Sequence, residues 1–203
     1  VLDGAHECHA RALVLAGDIF DSHRALGEII EGAARMLADA TPLETVILPG
    51  NHDPATDDAA YRRFGFCDPE NVHVLGVSVE EHVQLPALDL EVTGLPHVEY
   101  ADYAPLARSR ERSMRWHVVV AHGHWVTGPQ DAHRGWQIHD HQIAATGADY
   151  VALGHWDVAQ PAGDGTIPAY YSGSPDLSRT VNIVHFSERG VDVRRHPLRI
   201  DGG

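Results

Sequence analysis

The chain has 203 residues, 43% apolar and 22% charged, which are the proportions of an ordinary folded domain and exclude a disordered one. It carries 15 Lys and Arg against 29 Asp and Glu, a formal net charge of −14, which argues against a long surface for gripping nucleic acid because such surfaces cluster cations against phosphates. Apolar runs such as Ala12–Ala16 and Val118–Ala121 fall far short of the ~20 residues of a membrane helix, no basic stretch precedes an apolar one as in a secretory signal, and two cysteines, Cys8 and Cys67, cannot build a disulfide framework, so a cytoplasmic setting with no membrane partner is expected.

Residues 1–10 read as the tail of a helix, and because the chain opens with Val in mid-element the domain is expected to be N-terminally incomplete. Ala12–Ala16 is a short apolar run ending in Gly-Asp, a buried strand opening into a loop. Ser22 is placed as the N-cap of a helix running to about Ala40, with Leu26, Ile29, Ile30, Ala33, Met36 and Leu37 on one face and Pro42 as its stop. Thr45–Leu48 is the next buried strand, followed by the loop Pro-Gly-Asn-His-Asp-Pro, and Asp57–Phe64 reads as a short helix. The middle is β-rich, with short runs at Val72–Leu75, Val77–Val83 and Leu88–Gly94, then a charged connector over Arg108–Arg115. Trp116–Ala121 is a buried strand ending at His122, residues 126–136 form a Gly/Pro loop, Gln137–Thr146 is a short helix, and Tyr150–Leu153 is a strand ending in Gly-His. Hairpins close the chain over Ala169–Ser172, Thr180–Phe186 and Val191–Ile200. No repeat or linker divides it, so residues 1–203 are expected to form one mixed α/β sandwich domain.

Four of these strands end in metal-binding residue types: Gly17-Asp18, Gly50-Asn51-His52-Asp53, His122 and Gly154-His155. In open α/β sheets ligands bind beyond the carboxyl ends of strands, so Asp18, Asn51, His122 and His155 are expected to converge although far apart in sequence. A carboxylate, an amide and two imidazoles suit Mn, Fe or Zn better than Ca. A lone Gly-Asp is usually a turn and a lone strand-end His is usually a satisfied polar residue; the conjunction carries the signal. His124 competes with His122, because a strand continuing through Gly123 points both side chains the same way.

These motifs, with Gly17-Asp18-Ile-Phe-Asp21 at the first, resemble those of calcineurin-like metallophosphoesterases. Val14-Leu-Ala-Gly-Asp-Ile-Phe-Asp21, Tyr150-Val-Ala-Leu-Gly-His155 and Tyr171-Ser-Gly-Ser-Pro175 look most like the DNA-repair exonuclease (SbcD-like) branch. The resemblance implies a four-layer α/β/β/α sandwich, here lacking its first strand, with two divalent ions (Mn, Fe or Zn) between the central sheets. It implies that Asp18 bridges the metals and that Asn51, His122 and His155 complete one shell. His52 becomes the general acid at the leaving group, Asp53 orients its imidazole, and Asp21 supports a ligand from behind. The implied activity is phosphodiester hydrolysis by a metal-activated hydroxide, on a nucleic acid or a small nucleotide.

Two departures stand out. The family's opening Asp-x-His motif is absent before Asp18, and its closing Gly-His-x-His reads Gly154-His-Trp-Asp157 here, leaving Asp157 as a carboxylate ligand of altered charge and geometry. Asp3, His6 and His9 are not expected to replace the first motif, because the strand after them spans roughly 20 Å at ~3.3 Å per residue. One half-site is therefore intact, and the chain is expected to hold two ions or only one. The alternative is a degenerate domain that binds metal or a partner without catalysis. His97 and His133 lie on loops that could reach the cleft, although nothing in the sequence requires it, and His139 and His141, two apart on a helix, are expected to point to different faces. Trp125, Trp136 and Trp156 cluster at the same sheet edge, where indoles serve either packing or stacking of a base.

Overall fold

The computed structural model describes residues 1–99, 101, 103–106 and 111–199. In chain order the elements are α1 (Leu2–Glu7), β1 (Ala12–Ala16), α2 (Gly27–Asp39), β2 (Glu44–Leu48), β3 (Val72–Val74), β4 (His82–Leu85), β5 (Leu90–Thr93), β6 (Trp116–His122), β7 (His124–Trp125), β8 (Gln137–Ile138), α3 (Asp140–Ala145), β9 (Tyr150–Gly154), β10 (Gln160–Ala162), β11 (Ala169–Tyr171), α4 (Pro175–Ser178), β12 (Thr180–Ser187) and β13 (Gly190–Pro197). Strands β1, β2 and β3 form a parallel sheet in that order. A mixed six-stranded sheet has the order β10-β11-β9-β6-β5-β4, with β5, β6, β9 and β11 parallel and antiparallel edges at β10 and β4. Strands β12 and β13 pair as a hairpin, and β7 and β8 as a short parallel ladder.

The two-residue period of the strands explains the packing. Val46 and Leu48 of β2 share one core with Val92, Val118 and Val120 of the larger sheet. Ile47, between them, turns the other way onto Ile30, Ala34 and Leu37 of α2. Val119 and Ala121 of β6 turn onto Ile143 of α3, with Val151 and Leu153 of β9. Strands buried on both faces read as unbroken apolar runs, which is why β2, β6 and β9 are visible in the sequence. Each Val, Leu or Ile so buried contributes about 1.5–3 kcal/mol before conformational entropy is counted. At the edge of its sheet, β1 keeps all five residues partly exposed. It packs against β6 and β9, so the carboxyl ends of β1, β2, β6 and β9 meet at one rim.

Several elements differ from expectation. Helix α2 begins at Gly27, and Ser22 makes a local turn in which its Oγ accepts the Arg24 amide at 3.1 Å, so it is not an N-cap. Asp57–Phe64 contains only a 3-10 turn at Ala60–Arg62. The Val77–Val83 run is broken because Gly76 sits at φ +74° and Ser78 Oγ accepts the Val74 amide at 2.9 Å; β4 starts at His82. Gln137 and Ile138 join β7 in a ladder, and α3 begins only at Asp140, behind a reciprocal cap between His139 and Gln142. Residues 108–110 of the connector and Ile200 lie outside the described residues.

Candidate metal centre

Four of the five expected ligands, Asp18, Asn51, His122 and His155, converge. His122, the last residue of β6, is fully buried. Its Nδ1–H donates to the Ala16 carbonyl at 2.7 Å, which fixes the tautomer and leaves the lone pair on Nε2. That lone pair faces Asn51 Oδ1 at 2.9 Å and Asp18 Oδ2 at 3.1 Å. His155 Nδ1 lies 3.1 Å from the same Asn51 oxygen. The ligand atoms of Asp18, His122 and His155 all lie within 4.8 Å of one another. Acceptors pointed at acceptors repel unless a cation sits between them, and the separations of 2.9–3.1 Å are those of neighbouring donors on one ion with ~2.1 Å bonds. The residues present therefore fit a divalent metal.

The backbone is shaped to bring them together. A Cβ at Gly154 would collide with the Ala16 carbonyl, the same oxygen that receives His122. Gly17 sits at φ +87°, and a Cβ there would strike the His122 ring. Asp18 (φ 55°) and His155 (φ 100°) also occupy positive φ, at a cost of about 1–3 kcal/mol each that surrounding contacts must offset. Burial opposes ionisation of the Asp18 carboxyl, and the His52 amide donating to its Oδ1 favours it. Desolvation pushes His155 down to about 4, which keeps its imidazole neutral and its lone pair available at neutral pH.

His52 is exposed at the rim of this cluster. Its amide donates to Asp18 Oδ1 at 2.9 Å, and its Nδ1 meets the Asp21 carbonyl at 3.2 Å. The expected pairing of Asp53 with His52 is not found. Neighbouring residues on this loop point opposite ways, and the fully buried Asp53 carboxylate accepts the amides of Asp18 (3.1 Å), Ile19 (2.8 Å), Phe20 (3.1 Å) and Gly50 (2.8 Å) and the Tyr61 hydroxyl (2.5 Å). Asp21 meets His52 through its backbone carbonyl, and its side chain is exposed.

His124 does not share the position of His122. Gly123 breaks the strand, and His124 Nδ1 accepts Trp156 Nε1–H at 3.0 Å while Nε2 lies 3.2 Å from Asp131 Oδ1. Asp157 is exposed and falls outside the ligand group found among the described residues; its carbonyl accepts the Ser174 amide. Asp3, His6 and His9 are exposed at or just after α1, with His6 lining a groove beside Arg11, Glu44 and His73 at the opposite ends of the strands. The indoles are used in packing: Trp156 stacks on Tyr171 at 5.0 Å, Trp125 donates to Asp140, and Trp136 lies against His97 and His155. His139 and His141 do not diverge. Their rings stack at 5.5 Å, because His139 is the extended cap residue before α3.

Sequence reasoning left two residues without a role. His97 is fully buried behind His122, where its Nε2–H donates to the His122 carbonyl at 3.1 Å. Tyr61, fully buried, reaches Asp53. Nothing in the local sequence marks Tyr61, because the contact depends on how the 3-10 turn docks on the Asp18 loop.

The family model described as calcineurin-like phosphoesterase matches residues 2–158, a span that includes every candidate site residue. The chain belongs to the calcineurin-like phosphoesterase family. No curated protein matches it. The family is metal-dependent and hydrolyses phosphoric esters, and the Asp18, His122 and His155 group gives this member a place for the metal.

Proposed function

We propose that this chain hydrolyses phosphodiester bonds with a divalent ion held by Asp18, Asn51, His122 and His155. The observation that carries the reading is the Nε2 lone pair of His122, fixed by its bond to Ala16 and aimed at two oxygen acceptors. A bound divalent ion supplies Lewis acidity toward the phosphoryl group and makes hydroxide accessible at neutral pH. The protein supplies position and a proton. With Nδ1–H donated to the Asp21 carbonyl, the His52 ring is held with Nε2 outward, suited to protonating the leaving oxygen. The Asp18 carboxylate, receiving the His52 amide, couples the placement of this acid to that of the ligand.

The net charge of −14 favours a small phosphodiester over a polynucleotide, whereas the motif resemblance favours an exonuclease. A salt titration of single-stranded DNA binding separates them, since a polynucleotide groove gives a steep slope. The reading extends to the family's four-layer sandwich, supported by the separate cores between α2 and the first sheet, between the two sheets, and beneath α3. A cytoplasmic setting belongs to the same proposal, supported by the free thiols of Cys8 and Cys67; among the described residues no helix is long and apolar enough to cross a membrane. Hydrolysis by the full chain with Mn²⁺, screened over phosphodiesters and phosphomonoesters, is the test, and failure on every substrate overturns the reading. A second reading, metal or partner binding without catalysis, is favoured by the exposed position of Asp157 away from the ligand group. Elemental analysis showing two tightly held metals per chain contradicts it.

A further inference from the structure

We propose that Tyr61 is a positioning residue for the metal-binding loop, acting through Asp53. The Asp53 carboxylate offers about four lone-pair directions and meets five donors, so it is saturated without His52. Its Oδ1 gathers the amides of Asp18 and Gly50, and its Oδ2 gathers those of Ile19 and Phe20 with the Tyr61 hydroxyl. One anion thus ties the loop after β1 to the loop after β2, and Asp18, whose carboxylate faces His122, is held at φ 55° by this tie. The phenol is the donor in this set that comes from outside the two loops. An O–H donor to a carboxylate is of the strong, charge-assisted class. Its ring packs between Phe20 (5.6 Å) and Phe66 (5.3 Å), which aims the hydroxyl at Asp53. Asp53 is accordingly the anchor of the ligand loop and takes no part in proton transfer through His52.

Tyr61→Phe removes one oxygen and keeps the packed ring. The affinity arm rests on the metal reading above, whereas the exchange arm does not. In the metal-free protein, amide hydrogen exchange at Asp18, Ile19, Phe20 and Gly50 is expected to accelerate about tenfold relative to β6 amides. By titration calorimetry the Mn²⁺ dissociation constant is expected to rise about tenfold, with excess Mn²⁺ restoring turnover. Unchanged exchange at the four amides overturns the proposal, as does equal acceleration in β6, which marks a general loss of stability. Altered exchange with an unmoved Mn²⁺ constant also overturns it. A wild-type chain that binds no Mn²⁺ refutes the metal reading instead, and the exchange arm still decides whether Tyr61 holds the loop.

Discussion

Replacing Gly154 by Ala tests whether the close approach of β9 to β1 is what builds the site. The added methyl would fall inside the contact distance of the Ala16 carbonyl, a backbone atom with no flexible end to swing away. Overpacking of this kind costs about 1–3 kcal/mol. The displaced oxygen is also the acceptor for His122 Nδ1 at 2.7 Å, and loss of that bond adds about 1 kcal/mol. A total of about 2–4 kcal/mol lowers Tm by about 5–15 °C in a chain of this size. Gly32→Ala is the control: it lies within α2, a Cβ there meets nothing within 4 Å, and a gain of about 0.5–1 kcal/mol is expected from helix propensity. Thermal melts of both variants and Mn²⁺ calorimetry on each provide the assay. The reasoning fails if Gly154→Ala melts within about 2 °C of the wild type and binds Mn²⁺ equally well.

Two further outcomes follow from named contacts. His124→Ala is expected to change Mn²⁺ affinity by less than about threefold, while His122→Ala weakens it by at least about 100-fold, because His122 faces Asp18 and Asn51 and His124 faces Trp156 and Asp131; equal losses in calorimetry contradict the separation of the two imidazoles. Glu91 is 1% exposed, and burial would raise its pKa, but hydrogen bonds from Ser113 outweigh burial and hold it below the usual range. With the folded value below the unfolded one, its charge stabilises the fold above roughly pH 4.3, and this contribution fades as pH falls through the folded value. Melts from pH 3 to 7 should show a shallower acid decline for Glu91→Gln than for the wild type, and parallel curves contradict that assignment.

Much of the site was legible because its ligands follow the strands that are easiest to see. Val46–Leu48 and Val118–Ala121 are buried on both faces, so their ends, and with them Asn51 and His122, can be placed from composition alone. What was not legible depended on single backbone turns. Gly123 breaks the strand that would have aligned His124 with His122. His52 and Asp53 are adjacent in sequence and look like a dyad, yet one side chain points to solvent and the other into the body of the protein. Ser22 has the composition of a helix cap but closes a turn five residues before the helix begins. Tyr61 and His97 act through contacts with distant loops, and neither carries a local signature.

The most direct test of the metal centre is Mn²⁺-dependent hydrolysis of bis-p-nitrophenyl phosphate by this chain, measured beside Asp18→Asn. That variant keeps the shape of the side chain and removes the carboxylate facing His122. Turnover that requires Mn²⁺ and is lost in Asp18→Asn is the expected result. Turnover that survives in the variant, or proceeds equally after chelation, contradicts a catalytic metal held by Asp18, Asn51, His122 and His155.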